Sequence, residues 1–176
     1  MSLLEARNIT VRFGGNLAVS EVDLDVEAGE IVGLLGANGA GKTTFMRCAL
    51  GILAPSGGTS LLFGRPPSRL GRARIGYVPQ GRGLHPDLTP RENAQFSAAA
   101  YGIRTGATAS ASERALSVDS YPRRLVRELP LGLQRRLAFD IALAHGPLLL
   151  VLDEPTSGVG PLELSLIHIS EPTRPY

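Results

Sequence analysis

Hydrophobic and polar positions in the first part of the chain follow the pattern of paired strands. Residues 3–13 are predicted to form a strand, and after a Gly-Gly-Asn turn the segment Val19–Glu27 alternates apolar with acidic side chains. Such alternation is typical of a half-exposed antiparallel strand. The next apolar run, Ile31–Leu35, is continuous and predicts a buried strand. These patterns indicate an antiparallel sheet followed by the first strand of a core.

Strands and helices alternate in the rest of the chain. The predicted strands are 59–63, 75–79 and 148–152. The predicted helices are 42–50, 89–101, a weakly specified segment around 112–117, and 131–144. The second helix has the clearest start, because Thr89 is a capping residue, Pro90 occupies the first helical position and Glu92 completes a capping box. This order predicts an α/β fold in which the apolar run 148–152 is a parallel strand covered on both faces.

A glycine-rich loop follows Ile31–Leu35 directly and fits the pattern G-x-x-x-x-G-K-[ST] of a phosphate-binding loop, Walker A. Glycines let successive N–H groups point inward around a phosphate, and the following helix directs its positive end at the same anion. Lys42 is expected to reach the β- and γ-phosphates, and the Thr43 hydroxyl to ligate Mg²⁺. The candidate nucleotide-binding residues here are Gly36, Ala37, Asn38, Gly39, Ala40, Gly41, Lys42, Thr43 and Thr44.

Composition agrees with a nucleotide site in a globular domain. The chain has 176 residues, of which 43% are hydrophobic, and Lys42 is its single lysine among 18 basic residues. A chain that otherwise uses arginine keeps a lysine where a compact ammonium is needed. The net charge of +2 is too small to indicate nucleic acid or an anionic membrane as the main partner. Arginines cluster at 65–82 and 123–136, which is typical of solvated surfaces.

Several other classes are disfavoured by simple features. The single cysteine, Cys48, allows no disulfide within the chain, which fits a reducing cytosol, and its place in a predicted helix favours packing over reactivity. The N-terminus has no secretory signal pattern, and the longest apolar run, 141–152, is interrupted by His-Gly-Pro. We expect a soluble chain that reaches a membrane only through a partner.

The strand 148–152 ends in two acids, Asp153 and Glu154. An acid after a buried strand is the Walker B arrangement, in which Asp153 is held near Mg²⁺ and Thr43. Glu154 is then placed to polarise the attacking water as a general base.

Taken together, these residues resemble the ATP-binding subunit of an ABC transporter over about residues 3–163. Phe13 is similar to the aromatic residue that stacks on adenine in that family. Gln80, after Tyr77-Val78-Pro79, is similar to the Q-loop glutamine, which touches Mg²⁺ and water and faces the membrane partner. The segment 153–158 is a close match to Walker B and its continuation. The resemblance therefore implies catalytic roles for Glu154 and Gln80, with Thr43, Gln80 and Asp153 serving the metal.

The resemblance also implies an architecture. The fold would be a P-loop NTPase of the ABC type, with a mostly parallel core sheet, an antiparallel β subdomain and a helical subdomain. The core would comprise residues 1–80 and 131–163, and the helical subdomain residues 81–130. The implied cofactors are ATP and Mg²⁺, and the implied partners are a second ATPase subunit and a membrane permease, with no nucleic acid. The chain would be cytoplasmic and held at the inner face of the cell membrane by the permease.

Two segments depart from the family pattern. The signature loop is usually Leu-Ser-Gly-Gly-Gln, and here Leu129–Leu133 reads Leu-Pro-Leu-Gly-Leu. Pro130 lacks both the serine hydroxyl and a backbone N–H, and Gly160 stands where the family usually carries an aspartate. The composite site that this loop completes in the opposite subunit would be weakened. Either an asymmetric heterodimer with one good site or a subfamily that tolerates the variant accounts for the departure.

The last residues do not fit the family. After residue 163 a helix, a core strand and a switch histidine are expected, whereas residues 164–176 resemble an in-frame translation of a transposase adapter used in sequencing libraries. We therefore expect the C-terminal part of the domain to be missing and the tail to be non-native. His168 lies too close to Glu154 to be the switch histidine. The 176-residue chain is accordingly expected to be poorly stable and inactive.

The first hypothesis for the parent protein is the ATP-hydrolysing subunit of an ABC exporter with a separate permease. The stretch from Gln80 to Gly102 looks most like drug- or polysaccharide-export ATPases. Two alternatives remain. One is a non-transport ABC ATPase, although no coiled-coil insertion or tandem nucleotide domain is present in the sequence. The other is a regulatory subunit that binds nucleotide and hydrolyses little, as the altered signature loop would suggest.

Overall fold

A computed structural model of the chain describes residues 1–101 and 118–154. Its contacts divide the chain into two compact units, described separately below. Among the described residues, the first unit contains residues 1–76 and 145–151, and the second contains residues 77–101, 118–144 and 152–154.

The first unit is built on a three-stranded antiparallel sheet. Strands β1 (Ser2–Phe13), β2 (Asn16–Glu27) and β3 (Gly57–Leu62) are ordered β2-β1-β3. The central strand β1 buries Leu4 and Ala6 before an interruption at Arg7 and Asn8, and Ile9 and Val11 after it; Ile9, Val11 and Leu62 are among the most buried residues described. The predicted antiparallel pair is therefore confirmed, with a third strand added on the other edge of β1.

Helix α1 (Lys42–Ala49) packs on this sheet and follows the glycine-rich loop, as predicted. Phe45, Cys48 and Ala49 form its buried face. Burial raises the pKa of the Cys48 thiol, so the side chain packs as a small apolar group. The helix ends before Gly51, whose φ of 65° gives the left-handed turn expected after a helix.

The buried strand predicted at Ile31–Leu35 is not formed. The segment carries no strand assignment, and the side chains of Ile31 and Leu35 are 98% and 97% exposed. A parallel core strand needs hydrogen-bonded neighbours, and no described strand pairs with this segment. The apolar run is therefore an exposed, unpaired segment within the described residues, and the prediction of a buried strand here is wrong.

A short parallel pair follows. After helix α2 (Arg69–Arg72), which lies where the sequence predicted only loop, come β4 (Ile75–Val78) and its partner β5 (Leu149–Leu152). Their direction follows from two bonds: the Leu148 N–H donates to the Arg74 carbonyl and the Asp153 N–H donates to the Val78 carbonyl, both at 2.9 Å. Leu149 is buried, whereas the rest of β5 is half-buried, so the expected cover on both faces is incomplete.

The second unit is mainly helical. Helix α3 (Pro90–Ala100) has the predicted capping box, with the Thr89 N–H donating to Glu92 Oε2 at 2.8 Å. Short 3₁₀ turns at Val118–Ser120 and Val126–Glu128 lead to helix α4 (Leu131–Leu143), again as predicted. A compact apolar cluster joins the turns to α4; its buried members are Tyr121, Val126, Leu129 and Leu137.

Asn93 fixes the loop before α3. It is 3% exposed, and its side-chain amide donates to the carbonyls of His85, Leu88 and Thr89 at 3.0 to 3.3 Å. Its Oδ1 accepts the His85 N–H at 2.8 Å. A buried amide with all these partners specifies the loop that follows Gln80.

Several predicted features lie outside the described residues. They are the helix around 112–117, the Walker B continuation beyond Glu154, Gly160, His168 and the segment 164–176. Within the described residues no helix is long and apolar enough to cross a membrane.

Stability should depend on pH through His145. Its Nε2 donates to the Ile75 carbonyl at 3.1 Å, and burial lowers the pKa of the imidazole below its usual value. Since the unfolded chain then binds more protons, stability is fully present above a pH of about 6.5 and falls as the pH drops below it. His145→Gln should flatten the change in urea midpoint between about pH 7.5 and pH 5.5. His85→Gln is the control, and an unchanged pH dependence in His145→Gln would contradict the assignment.

Candidate active site

The Walker A loop is held in a closed curl by its own lysine. Lys42 Nζ donates to the carbonyl oxygens of Gly36 at 2.7 Å and Ala37 at 2.9 Å. The Ala40 N–H donates to the Ala37 carbonyl at 3.1 Å, which tightens the same turn. The ammonium thus lies at the mouth of a loop that is exposed from Gly36 to Ala40, where it can exchange carbonyl oxygens for phosphate oxygens.

Gly41 is required by the geometry of the loop. It precedes α1 with φ 86° and ψ 5°, and no side chain caps the helix at this point. A Cβ added here would lie 2.4 Å from the Ala18 carbonyl oxygen, so the loop runs close against β2. The first turn of α1, which includes Thr43 and Thr44, follows the loop directly and directs the positive end of the helix dipole at it, which favours an anion there.

Phe13 lies at the end of β1, directly before the turn to β2. Its side chain is 53% exposed, so it does not contribute to the core. An exposed aromatic ring on a rigid strand end is suited to stacking against a planar ring. Its role in adenine binding remains a prediction.

Gln80, Asp153 and Glu154 are brought together at the carboxyl ends of β4 and β5. Gln80 Nε2 donates to Glu154 Oε2 at 2.8 Å. Asp153 is 2% exposed, and the Tyr77 hydroxyl donates to its Oδ2 at 3.4 Å. Parallel strands end at one edge of their sheet, which is why residues 74 positions apart meet.

The backbone at Glu154 is strained, with φ at 50° in a non-glycine residue. Such conformations cost about 1–3 kcal/mol and persist where the surroundings hold them. Glu154 lines a pocket of about 340 Å³ together with Gln80, Asp153, Arg82, Arg135 and the start of α4. The two acids therefore line the same cavity as two arginines.

The altered signature loop has a defined structure. Pro130 is the residue before α4 and provides no side-chain cap, while Gln134 Nε2 donates to the Leu129 carbonyl at 2.8 Å. Leu129 belongs to the buried cluster, so this residue serves packing. The helix thus begins without the serine hydroxyl that the family pattern has at this point.

The predicted site residues fall in both units. Phe13, the Walker A residues and Thr43 belong to the first, and Gln80, Asp153 and Glu154 belong to the second. Sequence reasoning did not select Tyr77 or Arg135 as site residues. Tyr77 could have been suspected because it lies in the strand leading to Gln80, whereas Arg135 gave no signal among the arginines of its segment.

Comparison with known proteins identifies the family. Residues 19–157 match the family described as ABC transporter, which is most of the chain. This chain belongs to the ABC transporter family.

Among its relatives is the probable multidrug ABC transporter ATP-binding protein YbhF of Escherichia coli strain K12, which is 40% identical over 167 residues covering 92% of this chain and 29% of the relative. The Nod factor export ATP-binding protein I of Cupriavidus metallidurans is 38% identical over 172 residues covering 94% of this chain and 57% of that protein. The chain therefore spans between about a third and a little over half of these relatives.

Solved structures agree on the fold. An ATP-binding subunit of an ABC transporter matches with a TM-score of 0.78 and 25% identity, covering 93% of this chain and 70% of that one. The cbiO1 protein of Clostridium perfringens, part of the ABC transporter complex cbiONQ, matches with a TM-score of 0.77 and 26% identity, covering 94% and 70%. The predicted α/β fold of an ABC-type P-loop NTPase is confirmed.

Gly41→Ala tests the loop geometry. The added Cβ meets the Ala18 carbonyl and must adopt a left-handed φ, so we expect a loss of stability above the roughly 1–2 kcal/mol of the strain alone, together with weaker nucleotide binding. Gly29→Ala is the matched control, since its φ is 81° and an added Cβ there meets nothing within 4 Å. Thermal unfolding and titration with a fluorescent ATP analogue measure both effects. Equal behaviour of the two variants would show that the approach to Ala18 is unimportant.

Proposed function

We propose that the protein of which this chain is part binds and hydrolyses ATP as the energising subunit of an ABC transporter. The observation that carries this proposal is the pairing of Gln80 with Glu154 at 2.8 Å beside the buried Asp153. This pairing would place an oriented carboxylate next to the acid that we propose for the metal. Phosphoryl transfer to water requires such an arrangement.

ATP is proposed to bind at the Walker A loop. Lys42 exchanges the loop carbonyls for β- and γ-phosphate oxygens, while the N–H groups of the loop and of the first turn of α1 donate to the same phosphates. The exposed ring of Phe13 stacks on the adenine. The curl held by Lys42 and the close approach of Gly41 to β2 support this assignment, because both keep the loop concave.

Mg²⁺ is proposed to be held by Thr43, Gln80 and Asp153. Within residues 1–101 and 118–154 no group of three or more His, Cys, Asp or Glu side chains could hold a metal. Mg²⁺ in nucleotide sites uses one or two carboxylates together with phosphates and water, so the single buried acid Asp153 supports the assignment. When bound, the ion neutralises charge that develops on the phosphates.

Glu154 is proposed as the general base that accepts a proton from the attacking water. Gln80 donates to one of its carboxylate oxygens, Oε2, which fixes the orientation of the group. With nucleotide and Mg²⁺ present, Gln80 would contact the metal and would no longer donate to Glu154. Metal binding would thereby free the Glu154 carboxylate to act as the base.

Transport is proposed to follow from the family relationship. A second ATPase subunit would pair with this one, and a separate permease would carry the substrate across the membrane. The names of the relatives, multidrug and Nod factor export, support an exporter. The subunit would then lie at the cytoplasmic face of the cell membrane.

A second candidate is a regulatory subunit that binds nucleotide but hydrolyses little. The observation that favours it is the start of α4, where Pro130 replaces the capping serine of the family pattern. A non-transport ABC ATPase has no specific observation in its favour.

Glu154→Gln distinguishes hydrolysis from nucleotide binding alone. If Glu154 is the base, turnover should fall by roughly 10²–10⁴-fold while ATP remains bound. Hydrolysis is measured as phosphate release, and trapping as retained radiolabelled ATP, in the complete protein.

Glu128→Gln is the matched control, because Glu128 is an exposed acid outside the pocket. Retention of full turnover in Glu154→Gln would remove the general-base role. If the unaltered protein hydrolyses ATP slowly and Glu154→Gln leaves that rate unchanged, the result would favour a regulatory subunit.

We further propose that residues 164–176 are adapter-derived and that the native domain continues beyond residue 163 with further strands. The exposure of Ile31 and Leu35 supports this, because a core strand would cover them. The partial coverage of the relatives agrees with it. In this proposal the 176-residue chain itself lacks ATPase activity.

Long-read sequencing of the source locus across codon 163, without transposase adapters, tests the proposal. We expect the reading frame to continue into an apolar strand that ends in a histidine. A genomic stop codon after Tyr176 would contradict the adapter origin. Catalysis would then no longer be proposed for this protein.

A further inference from the structure

One face of α4 forms a wall of the pocket that contains Glu154. Leu131, Arg135 and Ala138 line this pocket, and their spacing of four and three residues places them on the same side of the helix. Gln80, Asp153 and Glu154 line the same pocket. Arg135 is thus the charged residue that α4 contributes to the lining of the pocket.

Arg135 has an unmet requirement for an acceptor. Its Nη1 is buried and makes no hydrogen bond to any described residue. A guanidinium is always charged in proteins and has no acceptor capacity, so a buried N–H group without a partner is costly. A nitrogen in this position is expected to find an anionic oxygen in at least one state of the protein.

The acceptors in the same pocket point to Glu154. Asp153 is buried and is contacted by Tyr77, whereas Glu154 is half-exposed and, within the described residues, accepts a hydrogen bond from Gln80 through Oε2. Arg82 also lines the pocket, but it belongs to the turn after Gln80, whereas Arg135 is held on a helix and has the buried, unpaired nitrogen. Arg135 therefore has a buried donor without a partner in a pocket that Glu154 also lines.

We propose that Arg135 is a positioning residue for Glu154. In the complete site, where Gln80 would serve Mg²⁺, Arg135 would donate to Glu154 in its place and keep the carboxylate oriented. This inference rests on the proposed role of Glu154 as general base. It also gives α4, which begins at the altered signature loop, a direct connection to the catalytic carboxylate.

The experiment compares Arg135→Gln, Arg135→Lys and Arg136→Gln in the complete ATPase. Arg136 is the matched control, because it is the next residue of the same helix, its side chain is 67% exposed and its partner is Asp140. We expect Arg135→Gln to lower kcat by about 10- to 100-fold with an unchanged KM for ATP. Arg135→Lys should recover part of the loss through its charge, and Arg136→Gln should behave as the unaltered protein.

A double-mutant cycle separates positioning from a structural role. In the Glu154→Gln background Arg135→Gln should cause no further loss, since the residue acts through Glu154. An equal loss in both backgrounds, a raised KM, or a kcat that falls only in proportion to the folded fraction would overturn the proposal. If Glu154→Gln alone leaves turnover intact, it is the general-base role that fails, and that outcome is recognisable without Arg135.

A spectroscopic measurement covers the case in which Arg135→Gln does not fold. In a ¹⁵N–¹H spectrum recorded with ATP and Mg²⁺, Glu154→Gln should shift the Nε–H signal of Arg135 and leave that of Arg136 in place. Signals that stay unchanged at both arginines would contradict a contact between Arg135 and Glu154.

Discussion

The hydrogen bond from the Asp153 N–H to the Val78 carbonyl, 2.9 Å long, is the contact on which the cluster of Gln80, Asp153 and Glu154 depends. It continues the parallel pairing of β4 and β5 by one residue beyond β5. Because both strands end at the same edge, Gln80 and Glu154 leave the sheet side by side, and their side chains are within hydrogen-bonding distance. Loss of this register would separate Glu154 from Gln80.

The Walker A loop is stabilised by local interactions and not by strand pairing. Its shape comes from glycines that occupy left-handed conformations, from the close approach of Gly41 to β2, and from a lysine that satisfies the loop carbonyls. The antiparallel sheet below provides the support, since α1 packs on it through Phe45 and Cys48. A concave loop rich in N–H groups on a rigid base is suited to phosphates, because little reorganisation is needed when an anion arrives.

The exposed run Ile31–Leu35 shows how far a strand depends on its neighbours. Its side chains are as apolar as those of β5, yet two of them are almost fully exposed. Apolar sequence favours burial, but backbone hydrogen bonds to adjacent strands are what fix a parallel strand. The same dependence explains why β5 itself is only half-buried with one described partner.

The sequence by itself determined the α/β class, the antiparallel pair, the capped helix α3 and the phosphate-binding loop, because turns, caps and glycine motifs are local. It also indicated Gln80 and Glu154 individually. Tertiary structure alone decided that these two side chains touch, that Asn93 holds the loop before α3, and that Arg135 rather than Arg136 faces the pocket. These outcomes follow from strand register and helix rotation, which bring together residues far apart in the chain. Neither can be predicted from the sequence of a single segment.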